Sequence, residues 1–109
     1  VKDGDKIYRV GTFGGAGPAT LVKSEDSDYY EGCREDYLNS VERLLKEKVD
    51  IFIGNHCWNN DTENKGRAIG NGENPFIDGG AEWRKFLDFC KKRALEIIRT
   101  NKLEIEYKN

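Results

Sequence analysis

The sequence predicts an α/β fold, helices layered on sheet, and three observations carry that prediction. Over residues 34–48 the apolar side chains Tyr37, Leu38, Val41, Leu44 and Leu45 recur at i, i+1, i+4, i+7 and i+8, while Glu35, Asn39, Glu42, Arg43, Lys46 and Glu47 take the remaining face. That is the pattern of an amphipathic helix. Residues 49–54, Val-Asp-Ile-Phe-Ile-Gly, follow at once as a β-branched and aromatic run closed by glycine, which reads as a short buried strand. A second helix is predicted over residues 81–101, with Trp83, Phe86, Leu87, Cys90, Ala94, Leu95, Ile97 and Ile98 along one side; such a stripe needs a partner surface. Helix and then buried strand is an α/β signature.

The other elements are placed around these. Residues 6–12 alternate Ile7, Arg9 and Gly11 against Tyr8, Val10 and Thr12, after the turn signal Asp3-Gly4-Asp5, so the chain is expected to open in a hairpin whose first strand is cut off. Phe13-Gly14-Gly15-Ala16-Gly17-Pro18 breaks any regular element and predicts a loop at a strand's end. Leu21-Val22 then reads as strand-like, and the acidic and aromatic residues 24–31 as an exposed connection. Residues 55–80 form a polar stretch with five glycines and one proline, and a loop of that length is usually functional or mobile. Asp78 is positioned to cap the last helix, and residues 103–107 alternate like an edge strand that tends to fray.

Composition narrows the function classes. The 109 residues, 37% hydrophobic and 35% charged, suit one modest domain or a piece of a larger one. Eighteen basic and twenty acidic side chains leave a net charge of −2 and no basic stripe to neutralise phosphates, which argues against a nucleic-acid partner. The longest apolar runs, such as Ile51-Phe52-Ile53, hold three residues, against the roughly 20 of a membrane span. With no methionine and an opening at Val1, the sequence is expected to be a processed chain or a fragment.

Cys33, Cys57 and Cys90 are odd in number and 24 and 33 positions apart, which fits neither a disulfide framework nor a CxxC motif. Separate reduced thiols are expected, with Cys90 packed as a small hydrophobe. The odd count leans toward a reducing compartment, yet a removed secretion signal would be compatible with it, and the compartment stays open.

Most short motifs dissolve on inspection. Gly15-Ala16-Gly17-Pro18 lacks the third glycine and the helix start of a dinucleotide loop. The stretch from Asp61 begins like a calcium loop, but Lys65 replaces an oxygen ligand and Gly72 sits where the bidentate glutamate belongs. Asn60-Asp61-Thr62 is a glycosylation sequon only in a secreted eukaryotic protein. His56, the one histidine, stands just past the apolar strand and Gly54, where α/β folds gather ligands at strand carboxyl ends. By position alone it reads as a structural or surface histidine before a ligand, since zinc needs three or four ligands and Asp61, Glu63 or Cys57 would have to complete the set.

The order strand, Phe13-Gly14-Gly15-Ala16-Gly17 loop, helix with Tyr37-Leu38-Asn39-Ser40-Val41-Glu42-Arg43-Leu44-Leu45, then Val49-Asp50-Ile51-Phe52-Ile53-Gly54-Asn55-His56 resembles the C-terminal part of the metallo-β-lactamase superfamily, nearest to its subclass B3-like zinc hydrolases. Asn74-Pro75-Phe76-Ile77-Asp78, Trp83 and the closing helix extend the likeness over residues 1–100. The resemblance implies that residues 1–109 are the C-terminal half of an αββα sandwich that holds two zinc ions, with His56 as the last histidine ligand of the second metal. The remaining ligands, a His-x-His-x-Asp-His loop and one further histidine, would lie outside this sequence.

It further implies a metal-activated water attacking an ester, amide, lactam or phosphoester of a small-molecule substrate in the intact parent, and an inactive isolated chain. Gly14, Gly15, Asn55 and Trp58 are the corresponding candidates for the pocket wall. Thr12-Phe13-Gly14 carries no metal-binding aspartate or cysteine, as in B3-type sites. Gly14, Gly15 and Ala16 lack the hydroxyls with which those β-lactamases meet a substrate carboxylate, a departure that bears on antibiotic hydrolysis. The implied partner is the missing N-terminal half or a second chain, with no nucleic acid and no membrane. Two rival readings stand beside this one: a non-catalytic binding or assembly module associating through its amphipathic helices, and a redox role for an accessible Cys57 thiol.

Overall fold

A computed structural model describes residues 1–54, 56, 61–69 and 74–103. The expectations that rest on Asn55, Cys57, Trp58, Asn60, Gly72 and residues 104–107 lie outside the described residues. The chain divides into two compact units, Val1–Gly14 with Glu47–Phe86, and Gly15–Lys46 with Leu87–Asn109.

The first unit opens with a hairpin. β1 (Lys2–Asp3) pairs antiparallel with β2 (Lys6–Ile7), Lys2 opposite Ile7 and Asp3 opposite Lys6. The first strand of this hairpin is therefore present, contrary to the expectation that it is cut off. Nor do residues 6–12 form one strand. The Arg9 N–H turns to the Asp50 carboxylate at 3.0 Å, and its guanidinium reaches Glu47 at 3.1 Å. This separates β2 from β3 (Val10–Gly11), because a backbone donor spent on a side chain is lost to the ladder.

β3 pairs in parallel with β4 (Ile51–Phe52), Val10 beside Ile51 and Gly11 beside Phe52. The pairing reaches past both ends, the Arg9 carbonyl accepting the Ile51 N–H at 3.1 Å and the Gly11 carbonyl accepting the Ile53 N–H at 2.9 Å. Ile77 adds an antiparallel bridge to Ile51. The strand expected over residues 49–54 is thus a two-residue core with a longer ladder around it.

Side chains alternate across a strand, so Gly11 and Phe52 share one face. A Cβ on Gly11 would lie 2.9 Å from Val49 and 3.0 Å from Trp83, and only glycine permits that approach. Phe52, 1% exposed, stacks on Phe86 with ring centroids 4.8 Å apart and meets Trp83 edge-on at 5.8 Å. On the other face lie Val10, Ile51, Ile53 and Ile77, with Val10 38% and Ile53 49% exposed. Among the described residues one face of this parallel pair is covered and the opposite face is apolar and partly exposed, whereas parallel sheets are ordinarily buried on both.

The stretch read as a long loop contains α2 (Thr62–Ala68). It lacks an apolar stripe and carries Gly66, which hid it from periodicity. α3 (Ala81–Thr100) begins as expected at Asp78, whose carboxylate accepts the Gly80 and Glu82 N–H groups, each at 3.0 Å. Gly80 has φ +88°, and a Cβ there would stand 2.3 Å from the Val49 carbonyl oxygen.

In the second unit Ala19–Leu21 form a 3₁₀ turn where strand-like backbone was expected; it starts after Pro18, whose carbonyl accepts the Leu21 N–H at 2.9 Å. α1 (Cys33–Leu45) follows, with Glu35 and Asp36 in its first turn, where negative charge complements the helix dipole. Leu21, Cys33, Ala94 and Ile97 are the buried centre, and Val22, Tyr29, Tyr37 and Leu38 pack against it. Val41, Leu87 and Cys90 are fully buried as well, and Cys33 and Cys90 are free thiols. Leu95 departs from its expected place on the stripe and is 46% exposed, because it sits one residue, about 100° around the helix, past buried Ala94. No helix among the described residues is long and apolar enough to cross a membrane.

Candidate functional site

β4 and the ladder bond to Ile53 carry the backbone out to Gly54, and His56 follows in a bend with its side chain exposed. This is the strand-end placement expected of it. Gly14 is exposed and belongs to the same unit, whereas Gly15 is exposed and belongs to the other. Asn55 and Trp58 fall outside the described residues. Among the described residues no group of three or more His, Cys, Asp or Glu side chains gathers as a metal-holding cluster. A single imidazole does not hold zinc, which takes three or four protein ligands, so the described residues do not by themselves make a zinc site.

The glycine loop is held from below by side chains that sequence reading passed over. The Ala16 carbonyl accepts two hydrogen bonds, from the Tyr37 hydroxyl on α1 at 2.9 Å and from Nη2 of Arg93 on α3 at 3.0 Å. Burial first, and then neighbouring Cys90, push the Tyr37 phenol well above its ordinary value of 10.0, so at neutral pH it stays a proton donor. Burial likewise raises the Cys90 thiol, which marks it as packing rather than a reactive thiolate. The Arg93 guanidinium lies over the Phe89 ring, 5.0 Å from its centroid, and its Nε is buried without a hydrogen-bond partner. A sequence signal for this existed. Arg93 occupies i+3 from Cys90 and i−4 from Ile97, a position where the periodicity calls for an apolar residue.

No family model matches the sequence, and no curated protein matches it. The backbone does find a likeness. It superposes on the crystal structure of BJP-1, a subclass B3 metallo-β-lactamase of Bradyrhizobium japonicum, with a TM-score of 0.79 over 93% of this chain, at 22% sequence identity. The chain carries part of the metallo-β-lactamase fold. It spans 38% of the length of that solved chain, so the likeness of the metallo-β-lactamase fold is one of a portion, and at this identity it concerns architecture. The expected α/β class and the family resemblance read from the glycine loop, α1 and β4 agree with that superposition.

Proposed function

We propose that this chain is one part of a metal-dependent hydrolase built on the metallo-β-lactamase fold, acting on an ester, amide, lactam or phosphoester of a small molecule. The superposition on a subclass B3 enzyme carries the reading, and the exposed position of His56 beyond β4 supports it. In this reading His56 contributes one ligand to a zinc centre whose other ligands come from a complementary part of the fold, supplied as an N-terminal half or as a second chain. Gly14 and Gly15 are the candidates of this reading for the pocket wall. The partly exposed apolar face of Val10, Ile51, Ile53 and Ile77 is the surface that such a part would cover.

Assembly through the amphipathic helices finds less support. Val41 on α1 and Trp83, Phe86, Leu87, Cys90, Ala94 and Ile97 on α3 are buried within the chain itself.

The test compares metal content and hydrolysis for the 109-residue chain and for any longer product of the same coding sequence. The expected result is a metal-free, inactive 109-mer and a longer protein that binds about two zinc ions and releases one when His56 is changed to Ala. A longer protein whose zinc content is indifferent to His56→Ala would overturn the assignment of His56. A metal-free natural product of this length would remove the hydrolase reading for the chain.

A further inference from the structure

We infer that Tyr37 and Arg93 are positioning residues, which hold Gly15-Ala16-Gly17 as a fixed backbone surface, with no side chain larger than a methyl, for the small-molecule substrate; this rests on the proposed reading of Gly15 as a substrate-pocket residue. Two observations meet here. The first is that neither glycine is demanded by the fold. A Cβ at Gly15 or at Gly17 would meet nothing within 4 Å, and neither has the positive φ seen at Gly4, Gly32, Gly79 and Gly80. Where neither space nor dihedral requires glycine, its smallness serves something that approaches from outside.

The second is how firmly this exposed loop is anchored. A carbonyl oxygen has two lone pairs, and at Ala16 a phenol and a guanidinium from two different helices take both. Arg93 does so with its Nε buried and unpartnered, an unfavourable arrangement on its own. The apolar centre of Leu21, Cys33, Ala94 and Ile97 has no need of a guanidinium. Its service is to the loop, and the Phe89 ring beneath it limits the rotamers from which it can act.

The test is backbone ¹⁵N relaxation and the Ala16 carbonyl ¹³C shift, measured on the metal-free chain with Tyr37→Phe, Arg93→Met and Arg93→Lys. In the unaltered chain the order parameters of Gly15, Ala16 and Gly17 are expected near the rigid value of about 0.85, falling toward about 0.6 or below in Tyr37→Phe and Arg93→Met. The Ala16 carbonyl resonance should move in both, the helices should keep their values, and Arg93→Lys should recover most of the loss by restoring a donor. Loop values that are unchanged in both variants, or already low in the unaltered chain, would overturn the inference. If Arg93→Met fails to fold, Tyr37→Phe, which removes one oxygen and keeps the ring, decides alone. Zinc plays no part in this measurement, so its failure leaves the metal titration untouched, and the reverse holds too.

Discussion

Asn101 closes on Lys23 through both halves of its amide, Oδ1 accepting the Lys23 N–H at 2.8 Å and Nδ2 donating to the Lys23 carbonyl at 3.0 Å. The same Oδ1 accepts Nη2 of Arg34 at 2.9 Å, and Asn101 itself sits at φ +51° just past α3. Asparagine tolerates that left-handed conformation better than other residues with a side chain. Asn101→Ala loses the bonds and strains the backbone, for an expected cost of about 1–3 kcal/mol. Asn101→Gly loses the bonds alone and should recover roughly 1 kcal/mol of that. Urea unfolding midpoints of the two variants check the order.

Phe52 is the residue on which the first unit's covered sheet face depends, held between Phe86 and Trp83 at 1% exposure. Truncation to alanine removes both ring contacts and leaves a cavity, with an expected loss of about 3–5 kcal/mol. Phe52→Leu refills part of the volume and should lose less. Chemical denaturation followed by far-UV circular dichroism reads both.

What could be read from the sequence divides along physical lines. α1 and α3 declare themselves because a 3.6-residue stripe runs through Tyr37, Val41 and Leu44, and again through Phe86, Cys90, Ala94 and Ile97. The cap at Asp78 follows from its short carboxylate three residues before α3 begins at Ala81. The strands were harder, since Val10 and Ile51 are neighbours only through a pairing between distant segments, and alternation cannot show that Arg9 gives its N–H to Asp50. α2 rests on local contacts such as Asn64 to Asp61 at 3.0 Å, invisible to a search for apolar faces. That His56 follows a strand end was legible from the apolar run before it. The Tyr37 and Arg93 bonds to Ala16 were not, because they depend on which backbone oxygen two separate helices meet.

The Glu42 and Lys91 pair gives a pH dependence with a defined sign. A 2.5 Å hydrogen-bonded contact, assisted by charge attraction, lowers the Glu42 carboxyl from its ordinary 4.5 and raises the Lys91 ammonium from its ordinary 10.5. A depressed carboxylate adds stability above its ordinary value and loses it as pH falls through the folded value; a raised ammonium adds stability below its ordinary value and loses it as pH climbs through the folded one. Both side chains are substantially exposed, so the effect is small and weakened by salt. The unfolding-midpoint gap between the unaltered chain and Glu42→Gln is expected at neutral pH and should close as pH falls through the lowered Glu42 value, and a ¹³C titration of Glu42 should report that lowering directly.

The glycines separate into those the fold requires and those it does not, and alanine substitution distinguishes them. At Gly80 the added Cβ would fall 2.3 Å from the Val49 carbonyl oxygen, and φ is +88°; backbone has to move, the start of α3 with it, and a loss of roughly 1–3 kcal/mol is expected. At Gly11 the neighbours are the Val49 and Trp83 side chains at 2.9 and 3.0 Å, so those two packed side chains must give way and a loss in the same range follows. At Gly15 and Gly17 nothing stands within 4 Å, and alanine should be neutral or add about 0.4–1 kcal/mol by restricting the unfolded chain. Thermal unfolding of the four single variants gives the comparison. If Gly15→Ala proved as damaging as Gly80→Ala, the fold itself would demand that glycine, and the case for a surface kept bare for an incoming molecule would fall with it.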